Sequence, residues 1–188
     1  MMIRFLTLFL LSCLTPLPSM AQGFPETPPT ERVIVLHGLG RTSISMNEIA
    51  RKLRDEGYEV ENLNYRSTEG TVAMHIRDIY RKTRRTLEDE NHVVNFVCHS
   101  LGCLITRGLI HQHRPARMGR VVMLGPPNQG SEMADYLREN GLVNWLLGPT
   151  MPQLGTANRH MLEKTIGDKA DYPLGIIAGK DWIDPFGA

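Results

Sequence analysis

An α/β fold, three-layered, with a mostly parallel sheet between helices on both faces, is what the 188-residue sequence predicts. Three observations carry that expectation. Short runs such as residues 33–36 and 93–98 are apolar on both faces, as interior parallel strands are. Amphipathic helical stretches separate them. The resulting order, βαβαβαβ, then a loop-rich helical excursion and one more strand, is that of a sheet covered on either side.

Residues 1–21 stand apart from the fold. Arg4 supplies a basic start, FLTLFLL a short apolar stretch, and PLPSMA a breaker before small residues, which together read as an export signal cut after Ala21. The apolar core is shorter than the roughly 20 residues that a membrane span needs, so no transmembrane segment is expected in the mature chain. Cys13, in LLSC, offers the alternative of a lipoprotein anchor. Residues 22–30 are Pro-rich and read as a flexible leader, and residues 31–188 as a single domain. The destination is therefore periplasmic or secreted.

Within the domain, residues 33–36 form the first strand and HGLG follows it. A helix is expected over residues 44–56, with Ser45 and Glu48 at capping-box spacing and Gly57 closing its end. The strand over residues 58–63 alternates Glu59 and Glu61 with Tyr58 and Val60, which places it near a sheet edge. Residues 71–87 give the clearest helix, with Val72, Ala73, Ile76, Ile79, Tyr80, Thr83 and Leu87 on one side. A strand over 93–98, a helix over 101–112 and a strand over 120–124 come next. Short helical pieces fit 132–139 and 142–147, and residues 174–178 form the last strand.

Lys and Arg number 21 and Asp and Glu 20, and with Arg4 in the leader the remainder carries no formal net charge. No global field draws the chain to nucleic acid or to an anionic membrane. Arg81, Lys82, Arg84 and Arg85 are followed by Glu88, Asp89 and Glu90, the mixture of a solvated helix face. Of the three cysteines, Cys98 and Cys103 belong to the domain. They sit on successive elements among apolar neighbours and read as buried thiols, since a disulfide needs Cβ atoms facing each other about 4 Å apart. Neither forms a zinc-type spacing with a histidine, and no metal or cofactor is expected.

The chemistry is expected at His99-Ser100-Leu101-Gly102. A serine on a sharp strand-to-helix turn stands clear of the sheet, with the first helical N–H groups aimed at its reaction centre. Such a turn demands small residues two before and two after the serine, here Cys98 and Gly102. Ser100 also fits an ordinary N-cap, so both readings stand at this point. His37-Gly38-Leu39-Gly40 adds a glycine loop at the end of the first strand, where a free backbone N–H can face an anion. In a doubly wound sheet, both loops open on one crevice.

With VIVLHGLGRTSISM, VVNFVCHSLGC and VVMLGPPNQGSE in view, the chain resembles the α/β-hydrolase family of lipases, esterases and acyltransferases, especially small bacterial members, over about residues 33–178. The resemblance implies Ser100 as nucleophile and the Leu39 and Leu101 amides as an oxyanion hole. His37, Gly38, Gly40, Cys98, His99 and Gly102 complete the two motifs. Cys98 stands where the family usually has glycine, and His99, beside the nucleophile, is not the usual base. The loop with Pro127, Asn128, Gln129 and Gly130 would border the pocket. The family's acid and histidine follow late strands. Asp184, and less so Asp181, are the available acids, and each also fits a plain turn aspartate.

No histidine follows residue 178. His160 lies in the excursion, and His75, His92, His111 and His113 lie on earlier elements. The expectation is a member truncated at its C-terminal end: a serine-dependent ester hydrolase of the lipase or esterase type, impaired for want of the acid–histidine segment, with a small or lipid-like ester as substrate. A non-catalytic binding protein or a nonfunctional fragment is the alternative, and the sequence leaves the oligomeric state open.

Overall fold

The computed structural model describes residues 30–127, 150, 159–167 and 169–178. They form a five-stranded parallel sheet in the order β2-β1-β3-β4-β5. The strands are β1 (Thr30–Leu36), β2 (Glu59–Leu63), β3 (His92–His99), β4 (Met118–Leu124) and β5 (Leu174–Ile177). A 3-10 turn (Ser43–Met46) leads into α1 (Asn47–Asp55). Helices α2 (Val72–Glu88) and α3 (Leu101–Gln112) alternate with the next strands, and α4 (Arg159–Ile166) precedes β5. The leader was expected to run through residue 30, but Thr30 already pairs with His92 as the first residue of β1.

Both faces of β1 are apolar because both are covered. Side chains alternate along a strand, so Val33 and Val35 join Met46, Ile49 and Leu53 on the α1 side. Ile34 and Leu36 face the opposite layer with Ile76, Ile79, Leu104, Ile105 and Leu109 of α2 and α3. Burying one such side chain contributes about 1.5–3 kcal/mol, which makes this second layer the main source of stability. The glutamate-bearing strand, β2, lies at the sheet edge as its pattern predicts.

Local endings follow from single residues. Gly57 has φ 91°, its N–H reaches Arg54 O at 3.0 Å, and the Tyr58 N–H reaches Leu53 O at 3.1 Å, so α1 closes in a Schellman motif. The Thr71 hydroxyl oxygen accepts the Met74 N–H at 3.2 Å and caps α2. Two expectations for these helices need correction. Ser45 and Glu48 form no capping box: the Ser45 hydroxyl donates to Thr42 O at 2.8 Å inside the 3-10 turn, and Glu48 pairs with Arg51. Of the face expected to be buried on α2, Ala73 is exposed, whereas His75 is buried among the apolar side chains.

The chain runs from β1 outward to β2, then crosses back over β1 to β3. Strand order therefore reverses between β1 and β3. At such a point the loops leaving the carboxyl ends of the two strands part to opposite faces and leave a crevice. Leu36 pairs with Cys98 and His99 with Leu124, so the His37 loop and the Ser100 turn emerge side by side there.

Candidate active site

Ser100 is the single residue between β3 and α3, with φ 49° and ψ −118°. Among the described residues it is the only non-glycine with positive φ. A backbone held there costs on the order of 1–3 kcal/mol and persists only where its surroundings over-determine it. The Ser100 N–H donates to Leu124 O at 3.0 Å, and Ser100 O accepts the Cys103 N–H at 2.9 Å. Its hydroxyl makes no cap bond, so the structure does not use Ser100 as a capping serine.

Two glycines let the turn nest against β1. A Cβ on Gly102 would stand 2.7 Å from both Leu36 O and His37 O. One on Gly38 would stand 2.8 Å from His99 Nδ1 and 3.2 Å from Ser100 Cβ. Cys98, at the family's glycine position, points instead into the α2–α3 layer. It is fully buried, with Sγ 3.6 Å from Val122 O. Cys103 is also buried, 3.9 Å from Leu124 O, and both thiols are free.

The amides fit an anion. Gly40 N–H donates to Ser67 Oγ at 3.0 Å and Arg41 N–H to Gly38 O at 3.3 Å. The Leu39 and Leu101 N–H groups have no partner among the described residues. A donor pair of this kind can stabilise the oxygen of a tetrahedral intermediate.

His37 is wholly enclosed and His99 exposed. Burial, only partly offset by hydrogen bonds to Gly38 and others, holds the His37 pKa below the ordinary histidine value. His99 is likewise lowered, first by desolvation and then by the charges of Arg41 and His37. Neither bonds the Ser100 hydroxyl. His75 on α2, His92 at the start of β3, His111 and His113 at the end of α3, and exposed His160 on α4 all lie on other elements. Asp181, Asp184, Asn128, Gln129 and Gly130 lie outside the described residues, as do residues 132–147, the leader with Cys13, and Ala21. Pro127 is described and half-buried beyond Gly125 (φ 52°). Among the described residues, no group of three or more His, Cys, Asp or Glu is placed to hold a metal ion.

Sequence reasoning missed Tyr65. Its ring stacks on His37 with centroids 4.2 Å apart, and its hydroxyl donates to His37 O at 2.6 Å. Tyr65 follows β2 at the same end of the sheet as the two motif loops, and that position was the available signal. A cavity of about 500 Å³ behind it, reaching His75, Met74 and Lys82, includes neither Ser100 nor Leu39.

Comparison with known proteins agrees with this architecture. A family model described as palmitoyl protein thioesterase matches residues 32–167. No curated protein matches the chain in sequence. Among solved structures, the phospholipase PlaB of Legionella pneumophila superposes with a TM-score of 0.64 at 18% identity, over 81% of this chain and 38% of that one. A Bacillus licheniformis lipase in its mature form gives 0.57 at 19%, over 79% and 66%. A Rhodococcus esterase gives 0.51 at 15%, over 81% and 73%. The chain thus spans from under two fifths to under two thirds of the lengths of the first two, and at these identities the likeness is one of fold.

Proposed function

This chain belongs to the palmitoyl protein thioesterase family, and from that premise we propose that it is an exported, serine-dependent hydrolase of acyl esters or thioesters. The observation that carries the reading is the strained Ser100 turn seated against Gly38, with the Leu39 and Leu101 amides of the same two segments without a partner among the described residues. Ser100 Oγ attacks the acyl carbonyl, the two amides hold the oxyanion, and the alcohol or thiol departs to leave an acyl-enzyme that water hydrolyses. The names of the fold relatives, a phospholipase, a lipase and an esterase, are in keeping with an acyl substrate.

A base must still take the Ser100 proton, and among the described residues no histidine hydrogen-bonds it. Turnover by the 188-residue chain is therefore expected to be slow, at the level that oxyanion stabilisation alone supports. Asp184 or Asp181 would serve as the acid. A thioester is the favoured substrate on chemical grounds, because a thiolate of pKa about 8–9 leaves without the proton that an alkoxide requires. A second reading is a binding protein that retains the crevice without the chemistry.

A fluorophosphonate probe separates the two. Labelling of the folded chain that disappears in Ser100→Ala supports the hydrolase, and its absence from the folded wild type leaves the binding reading. Among the described residues no helix is long and apolar enough to cross a membrane. Export of a chain beginning at Gln22 is checked by N-terminal sequencing of the secreted or periplasmic protein, where a lipidated Cys13 would appear instead if the anchor is used.

A further inference from the structure

The His37 imidazole is enclosed between Tyr65 and the loop that carries the Leu39 amide, and its two nitrogens have different partners. Nε2 faces the Tyr65 backbone N–H at 3.4 Å, which can only donate, so Nε2 is assigned as an acceptor without a proton, and the Asn64 side-chain amide beside the ring can serve either tautomer. The remaining proton is on Nδ1, which donates to Gly38 O at 2.9 Å. That same carbonyl also accepts the Arg41 N–H at 3.3 Å. Gly38 C=O and Leu39 N–H belong to one peptide unit, and among the described residues no peptide is cis. In a trans peptide the N–H points opposite to the C=O. With the carbonyl held by the imidazole and by the Arg41 N–H, the Leu39 N–H is turned the other way, away from the ring.

We propose that His37, held as its Nδ1–H tautomer by Tyr65, is a positioning residue that fixes the Leu39 amide as an oxyanion donor. The proposal rests on the hydrolase reading and adds to it the pair that sets the hole's geometry. Tyr65 acts three times on His37: by its backbone N–H on Nε2, by its ring stacked at an interplanar angle of 15°, and by its hydroxyl on the His37 carbonyl. His75 in turn packs edge-on against Tyr65, with ring centroids 5.4 Å apart, and limits the phenol's freedom to move. His37, Tyr65 and His75 are all buried side chains.

The test uses the full chain and isosteres that separate the two ring nitrogens. In His37→Asn the side-chain amide can reach the place of Nδ1 and donate to Gly38 O, whereas in His37→Gln it reaches the place of Nε2. Deleting one oxyanion donor costs about 10²–10³ in rate, and misdirecting it is expected to cost about tenfold or more. The fluorophosphonate labelling rate of Ser100 should therefore fall about tenfold or more in His37→Gln and be largely restored in His37→Asn. In Tyr65→Phe, which keeps the backbone donor, it should fall less. Equal rates for the Asn and Gln variants, both shown folded by circular dichroism, would overturn the proposal.

A second measurement needs no variant and no labelling. Nitrogen-15 NMR of the wild-type imidazole should find the proton on Nδ1 at neutral pH, and a proton on Nε2 would overturn the assignment whatever the serine does. Failure of the wild type to label, with Nδ1 protonated, would count against the hydrolase reading and leave the fixed peptide standing.

Discussion

The Ser100 amide donates to the Leu124 carbonyl at 3.0 Å, so the ladder between β3 and β4 extends onto the residue whose φ is 49°. The sheet itself holds the strained turn. Strain kept in this way has a measurable counterpart in stability, because glycine occupies positive φ without steric cost. Ser100→Gly should raise stability by about 1 kcal/mol relative to Ser100→Ala, which retains the Cβ and hence the strain. In thermal melts that is a difference of a few degrees. Both variants should lose fluorophosphonate labelling. A glycine variant no more stable than the alanine one would mean that the turn stores no strain.

Gly102 poses the opposite case. The atoms its Cβ would meet are the backbone carbonyl oxygens of Leu36, at the end of β1, and of His37, which follows it, each at 2.7 Å, and neither can swing aside as a side chain would. Gly102→Ala should push the start of α3 away from Leu36 and His37 and cost about 1–3 kcal/mol. Labelling should fall more steeply than stability, since the displaced segment carries the Leu101 amide. Gly57→Ala is the control: its Cβ would meet nothing within 4 Å, so only the φ of 91° is penalised, about 1 kcal/mol, with labelling unchanged.

Much of this arrangement was legible in the chain. The two-face apolar runs identified β1, which is covered on both sides, and β3, whose Val94, Phe96 and Cys98 lie in the α2–α3 layer while Val97 packs half-buried on the other face. The bounds of α3 coincide with the residues expected from periodicity. What failed was local competition: Ser45 had a carbonyl of its own turn within reach and took it in place of a capping box. His75 was passed over because a histidine on an apolar helix face carries no marker of what it packs against, here Tyr65 and Thr150. For Tyr65 only its position after β2 was a signal, and nothing in the sequence marked His37 as its partner. Its three contacts with His37 join residues 28 apart, and only the strand order brings them together.

The thiols beside the elbow should be inert. Burial first, and the neighbouring Cys103 second, push the Cys98 thiol well above its ordinary range, and the thiolate is the reactive form. In the folded protein neither Cys98 nor Cys103 should react with a disulfide reagent such as DTNB over minutes, and both should react in denaturant. Prompt reaction of either thiol in the native state would mean that the layer beneath Ser100 opens readily. It would also weaken the view that Cys98 substitutes for a glycine by packing inward.

Stability should fall on mild acidification, and the sign follows from burial. Desolvation is the leading cause lowering both His37 and His75, each from an ordinary value of 6.5. The unfolded chain takes up those protons near 6.5, whereas the folded chain resists them. Their contribution is fully present above that pH and is lost as pH falls below it toward the folded values. The groups around them do not reverse this: Lys82 and His75 are cations or potential cations near His37, and Asp78 only partly offsets the burial of His75. The lowered carboxylates, Glu48, Asp89 and Asp171, act in a separate window, at and below their ordinary 4.5 and 3.8. Urea unfolding should therefore give nearly equal free energies at pH 7 and 8 and a measurably smaller one at pH 5. His37→Asn should show a shallower loss over the same interval, because one of the groups that resist protonation is gone; His75 and His99, both also lowered, remain. An identical slope in that variant would mean that His37 is protonated as readily in the folded chain as in the unfolded one, and that the enclosure by Tyr65 is incomplete in solution.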